Sequence, residues 1–158
     1  MPDAAPGWNE ELTHVLWRAQ NAVHRRVQEA LEELGVTATQ LGIAVHLDDL
    51  GPLSAADLSR GFRIAPQSIG TALGRLEALG WVSRRAQPLN KRVVLYELTD
   101  AGAEGTARGR QLMAAKNTEV AGVLSAAEVR TLVELLSRVT VAIDGPDHPV
   151  LSPWPVPR

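Results

Sequence analysis

Residues 51–98 carry the sequence feature that most limits how this chain can fold. Two short helical segments, each with its own start signal, precede a pair of β-forming segments. In the first, Ser54 and Asp57 have the spacing of a capping box. In the second, Pro66 stands in the first helical turn, where proline is favoured, and Gly80 is a typical stop. The order predicts a helix-turn-helix followed by a hairpin.

The segment after Gly80 predicts that hairpin. Residues 81–85 have the character of a short strand, residues 88–91 form a polar turn, and residues 92–98 are β-branched or aromatic at several positions. In a winged helix-turn-helix, one helix enters the major groove of DNA and a cationic hairpin reaches the neighbouring minor groove. The order of elements favours this architecture.

Amphipathic helices are predicted on both sides of this unit. Residues 10–34 carry one apolar stripe, and a second helix begins at a capping box of Thr37 and Gln40. Two more helices are predicted over residues 99–123 and 125–143. The fold class is therefore mainly α with a small β-hairpin wing (α+β): a winged helix-turn-helix domain flanked by dimerisation helices.

Two features interrupt regular structure in the C-terminal part. Three glycines are expected to weaken the start of the first helix there: Gly102, Gly105 and Gly109. Residues 145–158 contain five prolines and cannot form a regular helix or a central strand. This tail is either a flexible end or an extended arm that Trp154 anchors against its own dimer.

The first helix and the last two carry more apolar surface than a winged domain of about 60 residues needs. Uncovered apolar surface usually marks a partner site, so we predict a homodimer. The alternative is that these helices fold onto the core of the same chain. The predicted segments are an N-terminal arm and dimerisation helix (1–35), a winged helix-turn-helix DNA-binding domain (36–98), C-terminal dimerisation helices (99–144) and a Pro-rich tail (145–158).

The positive charge of the chain is concentrated in its middle. Residues 54–96 contain seven Lys or Arg side chains and two Asp or Glu, a formal charge of +5 in a chain whose total is −2. The remainder therefore carries −7. A basic segment between acidic flanks indicates a local site for a polyanion.

The helix predicted after Ala65 points a polar face outward. Its outer residues are Gln67, Ser68, Gly70, Thr71, Gly74 and Arg75. The amide of Gln67 can bond adenine through both ends, and serine and threonine hydroxyls can bond several bases. Arg75, later on the helix, suits a phosphate contact. The two glycines would let the helix backbone come close to DNA.

Three stretches of this sequence resemble the MarR family of bacterial transcriptional regulators. They are VTATQ (36–40), GPLSAADLSRGFRIAPQSIGTALGRLEALGWVSRR (51–85) and NKRVVLYELTDAG (90–102). The family's wing signature is Asp-x-Arg, five residues and Leu-Thr, and here it reads Asn90-Lys91-Arg92, five residues, Leu98-Thr99. The resemblance implies a homodimer that sets two winged domains on successive major-groove faces of a pseudo-palindromic operator in double-stranded DNA.

The resemblance also assigns roles to individual positions. It places Gln67, Ser68 and Thr71 among the base readers, and Arg92 at the wing arginine that enters the minor groove. An aspartate at position 90 could hold that arginine by a charge-assisted bond, whereas Asn90 would hold it less rigidly or serve only the turn. The full predicted DNA-binding set is Ser54, Arg63, Pro66, Gln67, Ser68, Thr71, Arg75, Asn90, Lys91 and Arg92.

A further implication of the resemblance is release from DNA by a small phenolic or other lipophilic effector. The pocket is expected between the dimerisation helices and the winged domain. Its predicted lining residues are His14, Trp17 and Arg18 on the first helix, with Ala44 and His46 on the second. Tryptophan and histidine suit an aromatic acid or a phenol, although such residues on an amphipathic helix more often belong to a core or an interface.

Several functions are excluded by what the sequence lacks. It has no cysteine, so disulfides, iron–sulfur clusters and thiolate zinc sites are ruled out. No histidine lies three to five residues from another, and no catalytic motif occurs. No metal site, no cofactor and no enzymatic activity are therefore expected. No apolar run reaches 18 residues, which predicts no membrane span, and a cytoplasmic location fits.

Together these features predict a dimeric, sequence-specific DNA-binding transcriptional regulator, a repressor rather than an activator, that a small-molecule effector releases. The first alternative is a winged-helix module that binds a protein partner, or DNA without sequence preference. The second is a small-molecule-binding protein or enzyme built on the same scaffold.

Overall fold

Six α-helices and three short strands make up the part of the chain that the structure describes. The computed structural model describes residues 7–88 and 90–145. The helices are α1 (Leu12–Leu31), α2 (Ala38–Leu50), α3 (Ala55–Phe62), α4 (Pro66–Ala78), α5 (Asp100–Ala121) and α6 (Ala126–Asp144). The strands are β1 (Leu53–Ser54), β2 (Val82–Ala86) and β3 (Val94–Leu98). The predicted α+β winged helix-turn-helix is confirmed. The predictions made for residues 1–6 and for the tail beyond Gly145 fall outside the described residues.

Most helices begin where the sequence places a cap. Both predicted capping boxes are formed, with Thr37 and Ser54 as N-caps, and a third, with Ser125 as N-cap, starts α6. The hydroxyl of Thr99 likewise accepts a bond from the Gly102 backbone N–H at 3.1 Å and starts α5. Because each cap satisfies backbone donors that the first turn leaves free, these boundaries are fixed locally.

Three boundaries differ from the sequence prediction. Helix α1 ends at Leu31, and a separate 3₁₀ turn at Glu32–Leu34 leads to Gly35, whose φ is 64°. Helix α3, which the glycine at position 61 predicts to end there, continues to Phe62, because the left-handed residue that ends it is Arg63, with φ 51°. Strand β3 starts at Val94, since the Val93 backbone N–H bonds the Asn90 carbonyl in the turn at 2.9 Å.

A third strand, β1, joins the predicted hairpin. The sheet is antiparallel with order β1-β3-β2, and Leu53 pairs with Tyr96 on β3. On the other side, Val82 of β2 pairs with Leu98. The base of the wing is therefore bonded to the residues immediately before α3, so the helix-turn-helix and the wing form one unit.

The core lies inside this unit. Its most deeply buried large apolar side chains come from the end of α1 and from α2, α3 and α4: Leu31, Ile43, Leu58, Ile69, Leu73 and Leu76. Trp81 and Val82, at the start of the wing, also belong to this core. No α6 residue whose burial is described is buried. Within the described ranges, no helix combines the length and apolarity that crossing a membrane requires.

The glycines of α5, predicted to weaken the start of the helix, also have a packing role. A Cβ atom added at Gly102 would lie 1.9 Å from the Trp81 carbonyl oxygen, and one at Gly105 would lie 2.3 Å from the Trp81 ring. A Cβ at Gly109 would lie 2.3 Å from Leu41 on α2. Their spacing places all three on one face of the helix. The absence of side chains there lets α5 pack closely against the winged unit.

Candidate nucleic-acid interface

Helix α4 separates a buried apolar face from an exposed polar one. Its buried residues are Ile69, Ala72, Leu73 and Leu76. The predicted outer residues Gln67, Ser68, Gly70, Thr71, Gly74 and Arg75 are all exposed. The structure therefore brings the predicted base-reading positions together on one side of one helix. Pro66 occupies the first turn, as predicted.

The side chains on this face differ in whether they already form hydrogen bonds within the chain. Among the described residues, Gln67 and Ser68 have no side-chain hydrogen bond. The Thr71 hydroxyl donates to the Gln67 carbonyl at 3.0 Å, so this residue offers a base an acceptor oxygen and a methyl group. Gln67 retains both amide donors and its carbonyl acceptor, the set that bidentate adenine recognition uses.

Gly70 and Gly74 face open space. A Cβ atom added at either would meet no heavy atom of the chain within 4 Å. Packing within the chain therefore gives no reason for glycine at these two positions, in contrast to Gly102. Each glycine lowers helix stability by roughly 0.5–1 kcal/mol relative to alanine. The exposed face of α4 is consequently flatter than an ordinary helix surface.

The cations of the basic segment fall into two groups. Three arginines are paired with carboxylates: Arg60 with Asp57, Arg84 with Glu77 and Arg85 with Glu97. Within residues 7–88 and 90–145, Arg75, Lys91 and Arg92 form no ion pair. These unpaired cations lie on the outer face of α4 and at the tip of the wing. Arg63 is exposed in the turn between α3 and α4.

At the tip of the wing, Asn90 supports the turn. Its Oδ1 atom accepts a hydrogen bond from the backbone N–H of Arg92 at 3.2 Å. This is the local bond by which asparagine stabilises turns. Asn90, Lys91 and Arg92 are all exposed. The side chain of Asn90 therefore orders the backbone of the tip, and no described contact holds the Arg92 guanidinium.

Ser54, a predicted DNA contact, is occupied at the start of α3. Its hydroxyl donates to the Asp57 carboxylate at 2.6 Å and accepts from the Asp57 backbone N–H at 3.1 Å. The hydrogen bond from Ser54 lowers the pKa of the Asp57 carboxyl, an effect that partial burial opposes and Arg60 reinforces. The clearest role of Ser54 is to cap α3.

The structure does not bring the five predicted effector residues together. On α1, the His14 ring lies 5.9 Å from that of Trp17 and 4.9 Å from that of Trp8, a pattern the sequence did not reveal. Trp17 and Arg18 are exposed. Ala44 and His46 instead fill the core, because α2 is buried from Gln40 to Leu47.

His46 shows how complete that burial is. It is 7% exposed, its Nδ1 atom lies 2.7 Å from the Gly42 carbonyl oxygen, and its ring meets Phe62 edge-on at 4.8 Å. Ala44 and His46 therefore pack in the core and are not among the residues that line the groove between α1, α2 and α5; their role in an effector pocket stays a prediction.

A different groove does exist between α1, α2 and α5. It has a volume of about 620 Å³, and most of its lining is apolar: Val23, Val27, Leu41, Val45, Met113 and Val120. Arg110, which also lines it, donates to Asp48 at 3.2 Å and to Asp49 at 2.7 Å. The sequence does not identify this groove because its α5 residues lie far along the chain from those of α1 and α2. Across the described part of the chain, no three His, Asp or Glu side chains are grouped to hold a metal.

Known proteins match both the sequence and the fold. The family model described as the MarR family matches residues 34–93, which contain α2, α3, α4 and β2. The multiple antibiotic resistance protein MarR of Escherichia coli is 31% identical over 116 residues, which cover 73% of this chain and 81% of that protein. A mutant form of E. coli MarR complexed with operator DNA has a TM-score of 0.77 at 28% identity, covering 85% of this chain and 99% of that one.

A third match is Rv2887 of Mycobacterium tuberculosis, a transcriptional repressor. Its structure in complex with salicylic acid has a TM-score of 0.66 at 28% identity, covering 88% of this chain and 99% of that one. These relatives are regulators, which confirms the prediction that the chain is not an enzyme. E. coli MarR is more than 30% identical to this chain, and the alignment covers more than two thirds of both proteins. The chain therefore belongs to the MarR family of transcriptional regulators.

Proposed function

We propose that this chain is a homodimeric repressor that binds a pseudo-palindromic operator through α4 and the wing and is released by a small aromatic effector. The observation that carries the proposal is that the outer face of α4 and the wing tip expose polar side chains and cations that form no ion pair within the described residues. The operator complex of E. coli MarR, whose fold this chain shares, supports it. Such a regulator acts where chromosomal DNA lies, so we place it in the cytoplasm.

Within this surface each predicted residue has a proposed role. Gln67 and Ser68 read base edges in the major groove, and Thr71 accepts from a base donor or contacts a thymine methyl group. Arg75, Lys91 and Arg63 contact phosphates, whereas Arg92 enters the minor groove from a tip that Asn90 orders. Pro66 and Ser54 act indirectly, because they fix the first turns of α4 and α3.

The proposed dimer uses residues 1–35 and 99–144. Helix α6 exposes Leu132, Val133, Leu135, Leu136, Val141 and Ile143. An apolar surface of this kind is stable in water only when another apolar surface covers it. A second copy related by a two-fold axis would also set two α4 helices about one helical turn of DNA apart, which a pseudo-palindrome requires.

The proposed effector site is the groove between α1, α2 and α5. Rv2887, a relative, binds salicylic acid. In this chain the groove has a mostly apolar lining, which suits a small aromatic molecule, and an acidic ligand would have to take the Arg110 guanidinium from Asp48 or Asp49. Because α2 belongs to the winged core and α5 leads to α6, an occupant could favour a different spacing of the two α4 helices and so weaken operator binding.

A salt titration with the promoter DNA beside the gene, and with scrambled DNA of equal length, tests the DNA-binding proposal. We expect specific binding to exceed nonspecific binding by at least about 10³-fold. Arg75, Lys91 and Arg92, which form no ion pair within the described residues, give six cations in a dimer and alone predict a slope of log K against log salt of about −5; phosphate contact by Arg63 would make the slope steeper. Equal affinity for the two DNAs would instead support the nonspecific winged-helix module.

Substitutions at Arg92 and Gln67 distinguish electrostatic contact with the DNA backbone from base reading. Arg92→Ala should lower the magnitude of the slope by about two per dimer. Arg85→Ala is the matched control, because Arg85 is already paired with Glu97 at 2.8 Å and should change the slope much less. Gln67→Ala should relax base preference and leave the slope unchanged. If base preference survives Gln67→Ala, this residue does not read bases.

A further inference from the structure

The last turn of α4 carries an acidic residue that faces the wing. Glu77 accepts a hydrogen bond from Nε of Arg84 on β2, and the two atoms are 2.5 Å apart. The Glu77 side chain is only 25% exposed, which makes it the least exposed acid among the described ion pairs. A charge-assisted bond to a half-buried carboxylate restricts both side chains more than an exposed pair would.

This bond spans the bend between the two DNA-facing elements. After α4, the chain turns through Gly80, whose φ is 74°, and continues as β2. The bend itself is held by a backbone bond from Trp81 N–H to the Leu76 carbonyl at 2.9 Å. The bond between Glu77 and Arg84 joins the side chains across this bend, and therefore links the helix to the strand that leads into the wing.

A second ion pair in the same region does not connect α4 to the wing. Arg85 and Glu97 are 2.8 Å apart on β2 and β3, and both belong to the wing. This pair also neutralises one arginine next to the basic surface, but it does not reach α4. The two pairs thus share chemistry and neighbourhood and differ in whether they connect the wing to the recognition helix.

We propose that Glu77 and Arg84 are a positioning pair that sets the angle of the wing relative to α4 and thereby sharpens operator preference. The inference rests on the proposed function. Recognition needs α4 in one groove and the wing tip in the next at the same time, so an error in the angle costs one of the two sets of contacts. In this role Arg84 holds the wing at a fixed angle to α4, and Glu77 neutralises the charge of Arg84.

The test compares Glu77→Ala with Glu97→Ala. Each substitution removes one negative charge near the basic surface, so nonspecific affinity should rise equally in both. Glu77→Ala should lower the ratio of specific to nonspecific affinity by about tenfold, the equivalent of one charge-assisted bond, whereas Glu97→Ala should leave it within about twofold. The charge-reversed double variant Glu77→Arg with Arg84→Glu should recover most of the ratio. Equal ratios in the two single variants would overturn the proposal.

A measurement without DNA separates this proposal from the proposed function. The chain has no cysteine, so spin labels can be attached through Ala78→Cys on α4 and Lys91→Cys at the wing tip, diluted with unlabelled protein. Glu77→Ala should broaden the distribution of distances between the labels, and Glu97→Ala should not. If wild-type protein fails to discriminate between DNAs while this difference appears, the repressor proposal fails and the positioning role stands. Identical distributions in both variants would refute the positioning role.

Discussion

Helix α4 buries its apolar residues against the rest of the same chain, whereas helix α6 leaves its apolar residues exposed. Leu73 and Leu76 on α4 are 1% and 0% exposed, but Val133 and Ile143 on α6 are 58% and 78% exposed. The outer side of α4 is polar and flat, and the exposed side of α6 is apolar. The apolar face of α4 is covered within the chain, and its outer face suits a polyanion. The apolar face of α6 needs a second apolar surface to cover it.

The largest expected effect comes from a charge placed on α6. Leu136→Asp should abolish the dimer and weaken operator binding by at least about 100-fold, because each winged domain would then bind its half-site alone. The winged core should remain folded, since α6 contributes no described buried residue to it. Sedimentation and a binding titration measure both quantities.

The control for this variant is Arg138→Asp. It puts the same side chain on the opposite face of α6, two positions further along the helix. We expect it to remain a dimer. If the Leu136→Asp protein is still a dimer, the exposed apolar side chains of α6 are not covered by a second copy of the chain.

The next largest effect is expected where α5 meets the winged core. Gly102→Ala should lower the free energy of unfolding by about 1–3 kcal/mol, because its Cβ would overlap the Trp81 carbonyl and force the backbone to move. Chemical denaturation at fixed protein concentration measures the change. An unchanged unfolding free energy would mean that α5 can shift away from Trp81 without cost.

An alanine on the exposed face of α4 should have the opposite sign. Gly70→Ala should raise the free energy of unfolding by about 0.5–1 kcal/mol, since open space surrounds the new methyl group and alanine favours helix. The same methyl group should weaken operator binding if the α4 backbone approaches DNA closely. A stabilised variant that keeps full affinity would rule out that close approach.

The smallest effect is expected from pH. Bonding to Ser54 lowers the pKa of Asp57 below its ordinary value, so the ionised carboxylate stabilises the start of α3. This contribution is fully present above the unfolded pKa of about 3.9 and is lost as pH falls through the lower folded pKa. The unfolding free energies of wild type and Asp57→Asn should therefore differ at pH 7 and converge as the pH falls through the lowered folded pKa of Asp57. A constant difference across that range would exclude Asp57 as the titrating group.

How much the sequence predicts depends on how locally each feature is determined. Capping boxes and glycine stops act within a few residues, so the order of helices and the polar face of α4 are predicted correctly. Strand β1 has two residues, which is too short for an alternating pattern, and its pairing with Tyr96 depends on tertiary structure. Gly102 shows a similar limit, because its partner is the backbone of Trp81.

The candidate pocket was harder to predict than the DNA-facing surface. Helix α2 is buried on nearly all sides, so its periodicity could not show which residues face a cavity and which face the core. Periodicity therefore does not distinguish a core role from a pocket role for Ala44 and His46. The roles of the DNA-facing residues stay predictions until they are tested against an operator.

The position of β2 in the sheet has a further consequence for how the protein behaves at high concentration. In the order β1-β3-β2, the outer backbone groups of β2 form an open edge of the kind that can pair with another chain. Two adjacent arginines, Arg84 and Arg85, lie on this strand, and the opposite edge is only two residues long. The exposed charged side chains on β2, although paired within the chain, and the shortness of the opposite edge both oppose strand-to-strand aggregation through the wing's own edge.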